Sequence, residues 1–138
     1  MLPQFAMTAP ESCPCGSGNT YGACCGRYID AGLQPETAEQ LMRSRYSAFV
    51  LVREDYLLRT WHVSTRPDTL NLESTRSGKW LGLRILRTEG GGRQDREGVV
   101  EFVARYKPPG QAERLHEVSR FVREDDQWFY VNGDILPS

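Results

Sequence analysis

The cysteines of this chain lie in one short segment and are the residues best suited to chemistry. The sequence contains four cysteines in 138 residues, and they stand at Cys13, Cys15, Cys24 and Cys25. Thiols at this density suit either disulfide formation or the binding of a metal ion. A disulfide within either close pair would form a small, strained ring, although cross-pairings between the two pairs remain geometrically open.

The composition around the cysteines favours zinc. The residues between the two pairs read GSGNTYGA, and such residues permit the left-handed turns that direct backbone N–H groups toward sulfur. The N-terminal residues lack the features of a secretory signal, which predicts a cytoplasmic, reducing environment where stable disulfides are rare. We therefore predict one Zn²⁺ ion bound by all four cysteines. Because no ligand position is left for water, the site would be structural and not hydrolytic.

The cysteine segment resembles a known zinc motif. Residues 13–29 read CPCGSGNTYGACCGRYI, which is similar to the SEC-C motif in its four ligands, its GSG turn, Tyr21 and the glycine after the last cysteine. In that family the motif binds zinc and docks to proteins, including the SecB chaperone and the ribosome. The resemblance implies a protein partner that binds through this motif, namely a chaperone, a ribosome component or a translocation component.

Two helices are predicted after the cysteine segment. Thr37 and Gln40 form a capping box, and apolar residues then recur at helical spacing. These residues are Ala38, Leu41, Met42, Tyr46, Phe49 and Val52. Arg45 falls inside this apolar arc, whereas Arg43 faces away from it. A second helix is predicted over residues 54–62.

Four strands are predicted in the rest of the chain. They read KWLGLRILRTE, GVVEFVARYK, ERLHEVSRFVRE and QWFYVNGDI. Alternation places Leu81, Leu83 and Ile85 on one face of the first strand. In the same way it places Val100, Phe102, Ala104 and Tyr106 on one face of the second strand. Helices followed by a meandering antiparallel sheet predict an α+β fold, and a twisted sheet over a helix layer leaves a concave face.

Two charged residues are predicted to lie inside the fold. Arg45 belongs to the apolar arc of the first helix, and Glu117 shares a strand face with Phe121. Buried charges are usually paired, so we predict a salt bridge between Arg45 and Glu117, with a role in a pocket as the alternative. Replacing Glu117 with alanine would then cost about 3–5 kcal/mol, because it strands a buried cation.

The histidines do not form an obvious catalytic pair. His116 and Glu117 are neighbours on a strand and therefore point to opposite faces. His62 ends the predicted second helix, where a packed or capping histidine is the more common case. The sequence also carries no P-loop, dinucleotide glycine motif or serine nucleophile elbow. These observations favour a protein that is not an enzyme.

From the cysteine motif onward the chain resembles the YchJ-like (UPF0225) proteins. The successive blocks that carry the resemblance are LMRSRYSAFV, YLLRTWHVSTRP, WLGLRILRTEGG, VEFVARY, LHEVSRFVRE and WFYVNGD. It implies an NTF2-like cone, in which N-terminal helices pack on a curved antiparallel sheet. We expect a flexible lead-in at residues 1–12, with either Met1 or Met7 as the start, the SEC-C motif at 13–30 and the NTF2-like domain at 36–138.

The zinc motif is predicted to fold separately from the NTF2-like domain. Residues 27–36 read RYIDAGLQPE and carry few apolar side chains, and Gly32 with Pro35 indicates a linker. Deleting residues 1–30 is therefore predicted to leave the remaining domain folded.

Composition and motifs together favour a protein-interaction function. The net charge is −1 at pH 7, so the chain has no general basic field to hold nucleic acid, and no apolar run reaches the length of a membrane span. We predict a cytoplasmic, zinc-bearing interaction protein, with a homodimer through the NTF2-like sheet as a further expectation. The alternative is a small-molecule-binding protein or enzyme that uses the cone pocket, with Arg45 and Glu117 as polar anchors. An open cavity with a polar floor would favour this alternative.

Overall fold

Helices packed on one antiparallel sheet form the computed structural model of the protein, which describes residues 12–70, 72, 79–107 and 113–137. The helices are α1 (Gly26–Ile29), α2 (Ala38–Val50) and α3 (Glu54–Arg59), preceded by a 3₁₀ turn at Tyr21–Ala23. The strands are β1 (Lys79–Gly90), β2 (Glu97–Lys107), β3 (Glu113–Glu124) and β4 (Gln127–Leu136). They pair in the order β1-β2-β3-β4, which confirms the predicted α+β class.

Two predictions concern the N-terminal residues and membrane-spanning helices. Apart from Ser12, the flexible lead-in predicted at residues 1–12 lies outside the described residues. Within the described ranges, no helix is long and apolar enough to cross a membrane.

Helix α2 begins where the sequence predicts. The Thr37 hydroxyl accepts a hydrogen bond from the Gln40 backbone N–H at 3.1 Å, and the Gln40 side chain accepts one from the Glu36 N–H at 2.7 Å. The Ala38 N–H donates to the Gly91 carbonyl in the β1–β2 hairpin at 2.9 Å. A Cβ at Gly91 would lie 2.8 Å from the Ala38 Cβ, so only glycine lets the hairpin cap the helix this closely.

Helix α3 is shorter than the sequence predicts. It ends at Arg59, whereas the prediction extends to His62. Beyond the helix the chain pairs with β4: Tyr130 N–H donates to the Thr60 carbonyl at 2.8 Å, and His62 N–H donates to the Tyr130 carbonyl at 2.7 Å. These two bonds satisfy backbone groups that a further helical turn would otherwise use, and they place Trp61 against the sheet.

The main core lies between α2 and the inner face of the sheet. The side chains buried there include Leu41, Tyr46, Leu57, Val100, Phe102, Ala104, Phe121 and Trp128. The predicted inner face of β2 is therefore confirmed for Val100, Phe102 and Ala104. Trp128 also ties β4 to the segment before α2, because its indole N–H donates to the Glu36 carbonyl at 3.1 Å.

The first strand does not keep the strict alternation predicted for it. Trp80 pairs with Tyr106 and Gly82 pairs with Arg105, so the register shifts at Leu81. Leu81 is 38% exposed, whereas Leu83 packs against the core. The prediction that Leu81 shares the inner face is wrong because this irregularity inserts a residue into the strand and changes which side chains face inward.

The cysteine segment packs directly on the helices. Its cysteines, Tyr28 and Ile29 belong to the same cluster of buried side chains as Leu41 and Val100. Arg59 donates to the Tyr28 carbonyl at 3.4 Å, and Arg53 forms an ion pair with Asp30. Continuous packing of this kind is not what a separately folded zinc motif on a linker would show.

Candidate metal centre and adjoining cavity

The four cysteines converge on one point. Their Sγ atoms all lie within 4.8 Å of one another, with 3.6 Å between Cys15 and Cys24 and 4.0 Å between Cys24 and Cys25. A tetrahedral Zn²⁺ ion with sulfur at about 2.3 Å requires Sγ atoms about 3.8 Å apart. All four cysteines are buried and none forms a disulfide. The donor set and its spacing therefore fit a structural zinc ion.

Local backbone geometry brings the two cysteine pairs together. The Cys13 N–H donates to the Asn19 carbonyl at 2.9 Å, and the Gly16 N–H donates to the Cys13 carbonyl at 3.1 Å. The turn between these bonds has φ values of +79° at Gly16 and +91° at Gly18, which favour glycine. This reversal sets the first pair against Cys24 and Cys25, which lead into α1.

Hydrogen bonds favour the thiolate form at one of the four sulfurs, that of Cys15. A hydrogen bond from the Cys25 thiol lowers the pKa of Cys15 to about 4; burial opposes this shift, and Ser17 adds to it. The same contact raises the pKa of Cys25. The Ser17 hydroxyl donates to the Cys24 Sγ at 3.2 Å. Thiolates are the form in which cysteine binds metal.

Arg43 contacts the cysteine segment and was not predicted from the sequence, and the same is true of Ser47, whose hydroxyl lies 3.6 Å from the Cys13 Sγ. The Arg43 guanidinium donates to the Cys15 carbonyl at 3.0 Å and lies 3.9 Å from the Cys15 Sγ. Glu39, one turn earlier on α2, forms an ion pair with this guanidinium, with 3.0 Å between the Arg43 Nε and the Glu39 Oε2. Arg43 does face away from the sheet, as predicted, but it faces the cysteines. Its charge partly offsets that of a four-thiolate zinc centre.

We expect about one zinc ion per chain in protein purified under reducing conditions without chelator, because the four sulfurs already match tetrahedral spacing. Elemental analysis measures this ratio. Cys24→Ser should lower it to well under one, whereas Ser17→Ala, which removes a neighbour of Cys24 and no ligand, should leave it unchanged. Wild-type protein without metal would contradict the zinc assignment.

Arg45 is buried, with neutral partners. It is 4% exposed, and its Nη1 donates to the Leu57 carbonyl at 2.8 Å and to the Thr60 hydroxyl at 2.7 Å. The guanidinium carbon lies 5.1 Å from the ring centre of Trp61 and 4.7 Å from that of Tyr130. Burial lowers the pKa of Arg45 to about 10, against the opposing influence of Tyr130, Tyr56 and Glu117.

Glu117 is held by hydroxyl groups and not by Arg45. Its Oε2 accepts hydrogen bonds from Ser119 at 2.6 Å and from Tyr130 at 3.2 Å. Among the described residues no ion pair joins Glu117 to Arg45. The predicted salt bridge is therefore wrong, because the sheet supplies its own donors to the carboxylate while the guanidinium turns toward α3.

Both charged residues instead line one cavity between α2 and the sheet. The cavity has a volume of about 320 Å³, and most of its lining is apolar or aromatic. Its aromatic walls include Tyr46, Phe49, Trp61 and Trp80. Tyr130 links the charged residues, since its ring lies beside the Arg45 guanidinium and its hydroxyl donates to Glu117.

The histidines lie outside this cavity, each beside a carboxylate. His116 Nε2 is 2.7 Å from Glu101 on the neighbouring strand, and Arg87 is 2.7 Å from the same carboxylate. His116 thus contacts Glu101 while Glu117 lines the cavity, in agreement with opposite faces. His62 Nε2 is 3.0 Å from Glu124, and its ring packs against Phe129. Among the described residues, the side-chain hydrogen bonds of the histidines do not reach the cysteines, Arg45 or Glu117.

Comparison with known proteins identifies the family. A family model described as "YchJ, middle NTF2-like domain" matches residues 37–133, and the SEC-C motif matches residues 10–27. A UPF0225 protein from Chromobacterium violaceum is 58% identical over 127 residues, which are 91% of this chain and 93% of that protein. The chain belongs to the YchJ-like (UPF0225) family. A further UPF0225 protein, from Methylibium petroleiphilum, is 51% identical over 138 residues, covering 99% of this chain and 97% of that protein.

Solved structures of similar proteins share the fold of this YchJ-like chain. The solution structure of a SEC-C motif containing protein from Rhodopseudomonas palustris is 32% identical, has a TM-score of 0.78, and is matched over 91% of this chain and 98% of that one. The crystal structure of a SEC-C motif containing protein from Psychrobacter arcticus is 28% identical with a TM-score of 0.73, over 93% of this chain and 84% of that one. The expected combination of a SEC-C motif and an NTF2-like domain is therefore confirmed.

Proposed function

We propose that this protein is a cytoplasmic, zinc-bearing interaction protein that docks to a protein partner through its cysteine module. The observation that carries the proposal is the closed donor set: all four ligand positions are filled by buried cysteines, which leaves no position for a substrate. A metal site of this kind stabilises a surface and does not perform hydrolysis.

The surface that this metal would stabilise is a short exposed loop. We define the docking loop as residues 16–19 and 22–23, which are exposed on the outer side of the cysteines. The loop is held at both ends by ligand residues and by the backbone bond between Cys13 and Asn19. A loop that is already ordered loses less conformational entropy when it binds a partner.

The resemblance to SEC-C motifs indicates the kind of partner. We propose a chaperone, a ribosome component or a translocation component. A homodimer through the sheet remains a separate prediction. The sheet carries charged pairs such as Arg87 with Glu101 and Arg120 with Asp134, whereas obligate dimer interfaces are more apolar.

A charge placed in the docking loop should remove partners without removing zinc. We expect Ala23→Arg to abolish capture of specific proteins from a lysate, because it places a bulky cation in the contact surface. Gln94→Arg is the matched control, since Gln94 is exposed in the β1–β2 hairpin. Mass spectrometry of the captured proteins and elemental analysis of each variant are the measurements. Identical captured sets for Ala23→Arg and wild type would reject docking through this loop.

A second candidate function is the binding of a small molecule in the NTF2-like cavity. The observation that favours it is that side chains do not fill the space between α2 and the sheet, where a cavity of about 320 Å³ has Arg45 and Glu117 in its lining. Small-molecule sites typically combine apolar walls with a few polar groups in this way.

A further inference from the structure

One buried polar group at the cavity lacks the partner that burial normally demands among the described residues. The Trp80 indole N–H is buried and has no hydrogen-bond partner within the described part of the chain. Arg45 uses only Nη1 in the hydrogen bonds found among these residues, and Glu117 uses only Oε2. Buried polar atoms are satisfied in the great majority of cases, so exceptions call for an explanation.

Burying the charge of Arg45 without a carboxylate partner among the described residues lowers the stability of the fold. A buried cation is normally balanced by a carboxylate at contact distance, whereas this guanidinium contacts a carbonyl, a hydroxyl and two rings. Apolar side chains of similar volume often replace buried charges without loss of stability. The position of Arg45 at a cavity is therefore better explained by binding than by stability.

The charges restrict what the cavity can hold. Arg45 and Glu117 carry opposite charges and line the same space, so an anion would meet the carboxylate and a cation would meet the guanidinium. A neutral group that both accepts and donates hydrogen bonds suits the two residues together. The aromatic walls formed by Phe49, Trp61 and Trp80 suit a flat apolar body.

We propose that this cavity binds a small, neutral, largely aromatic molecule with adjacent hydrogen-bond acceptor and donor atoms on one edge, as in an amide or lactam. The acceptor takes a hydrogen bond from Arg45 or Trp80, and the donor gives one to Glu117. This inference rests on the second candidate function and adds to it the chemical class of the ligand. Partial exposure of Phe49, Trp61 and Trp80 gives the ligand a route from solvent.

Gly133 is a positioning residue for the Glu117 carboxylate. It pairs with Ser119 across β3 and β4, and a Cβ at Gly133 would collide with the Glu117 carboxylate. Because that carboxylate is the end of a flexible side chain, Gly133→Ala should turn it away while the strands stay paired. The variant thus moves the acceptor without deleting it.

The test uses three probes that share one ring system. We would titrate the zinc-loaded full chain with 2-naphthamide, 2-naphthoate and 2-naphthylmethylammonium and follow the tryptophan indole N–H signals by NMR. The neutral amide should bind at least roughly tenfold more tightly than either charged probe, a margin typical of one good hydrogen bond to a charged group. The Trp80 signal should move, whereas the Trp128 signal should not, since its N–H is bonded to Glu36.

Two variants check the assigned roles. Glu117→Gln should improve binding of 2-naphthoate by roughly tenfold, because it removes a like charge, and Gly133→Ala should weaken binding of 2-naphthamide. Tighter binding of 2-naphthoate to the wild-type protein would overturn the neutral-ligand proposal and keep the cavity as a binding site. If none of the three probes binds, both the neutral-ligand proposal and the role of the cavity as a binding site are overturned. These results do not bear on docking through the cysteine module.

Discussion

Removing the metal should unfold the NTF2-like part of this protein together with its cysteine module. Structural zinc contributes about 10–16 kcal/mol to folding in zinc-finger peptides, and a whole domain is stable by only about 5–15 kcal/mol. Here the cysteines share one cluster of buried side chains with Leu41 and Val100, so loss of the module exposes the core beneath it. We expect chelation to abolish the cooperative thermal transition or to lower its midpoint strongly, as followed by tryptophan near-UV circular dichroism.

Truncation provides an independent test of the same point. Deleting residues 1–30 removes the cysteines, Tyr28 and Ile29, all of which are buried against the rest of the protein. We expect this fragment to be unfolded or severely destabilised, which reverses the expectation from the sequence alone. Ser17→Ala keeps all four ligands and should melt close to wild type. A truncated protein with an unchanged midpoint would show that the module and the domain are energetically independent.

The second large effect is expected at Arg45. Arg45→Ala leaves the Leu57 carbonyl and the Thr60 hydroxyl without their donor and opens space between Trp61 and Tyr130. We expect a loss of about 2–4 kcal/mol in the free energy of unfolding, since unsatisfied buried groups and a cavity add while relief of the buried charge offsets part of the cost. Urea unfolding at neutral pH measures it.

Glu117→Ala tests whether Glu117 forms a salt bridge with Arg45 or only accepts hydrogen bonds from its neighbours. The carboxylate accepts hydrogen bonds from Ser119 and Tyr130 and forms no ion pair with Arg45 among the described residues. We therefore expect a cost of about 1–2 kcal/mol, because the hydrogen bonds to this partly exposed carboxylate are charge-assisted but screened by solvent, and not the 3–5 kcal/mol of a broken buried pair. Equally large losses in the free energy of unfolding for Arg45→Ala and Glu117→Ala would support a salt bridge between the two residues.

Local rules of sequence predicted the elements of this fold well. The cap at Thr37, the inner face of β2 and the convergence of four closely spaced cysteines all follow from spacing over a few residues. The irregular register near Leu81 and the early end of α3 do not, because each depends on pairing with a distant strand. Such competition between local and long-range bonds is invisible in a single segment of sequence.

The candidate site was also predicted only where it depends on residues close together in sequence. The cysteines were found because four thiols within 13 residues, with glycine- and serine-rich residues between them, indicate a metal site. Arg43 was missed because its role depends on the cysteine segment folding back onto α2, and the sequence suggested a linker instead. Arg45 was correctly placed inside, but its partners come from α3 and not from Glu117. Burial of a charge can be predicted from helical phase, whereas its partner requires the tertiary structure.

Helix α2 supports two sites from residues only two positions apart in sequence. Arg43 contacts Cys15, and Arg45 lines the cavity. Any effect that passes along this helix from one site to the other obeys thermodynamic reciprocity. If occupancy of the metal site multiplies the affinity for a cavity ligand by some factor, occupancy of the cavity multiplies the affinity for metal by the same factor. Zinc binding and binding of the proposed cavity ligand would then be coupled through one rigid helix.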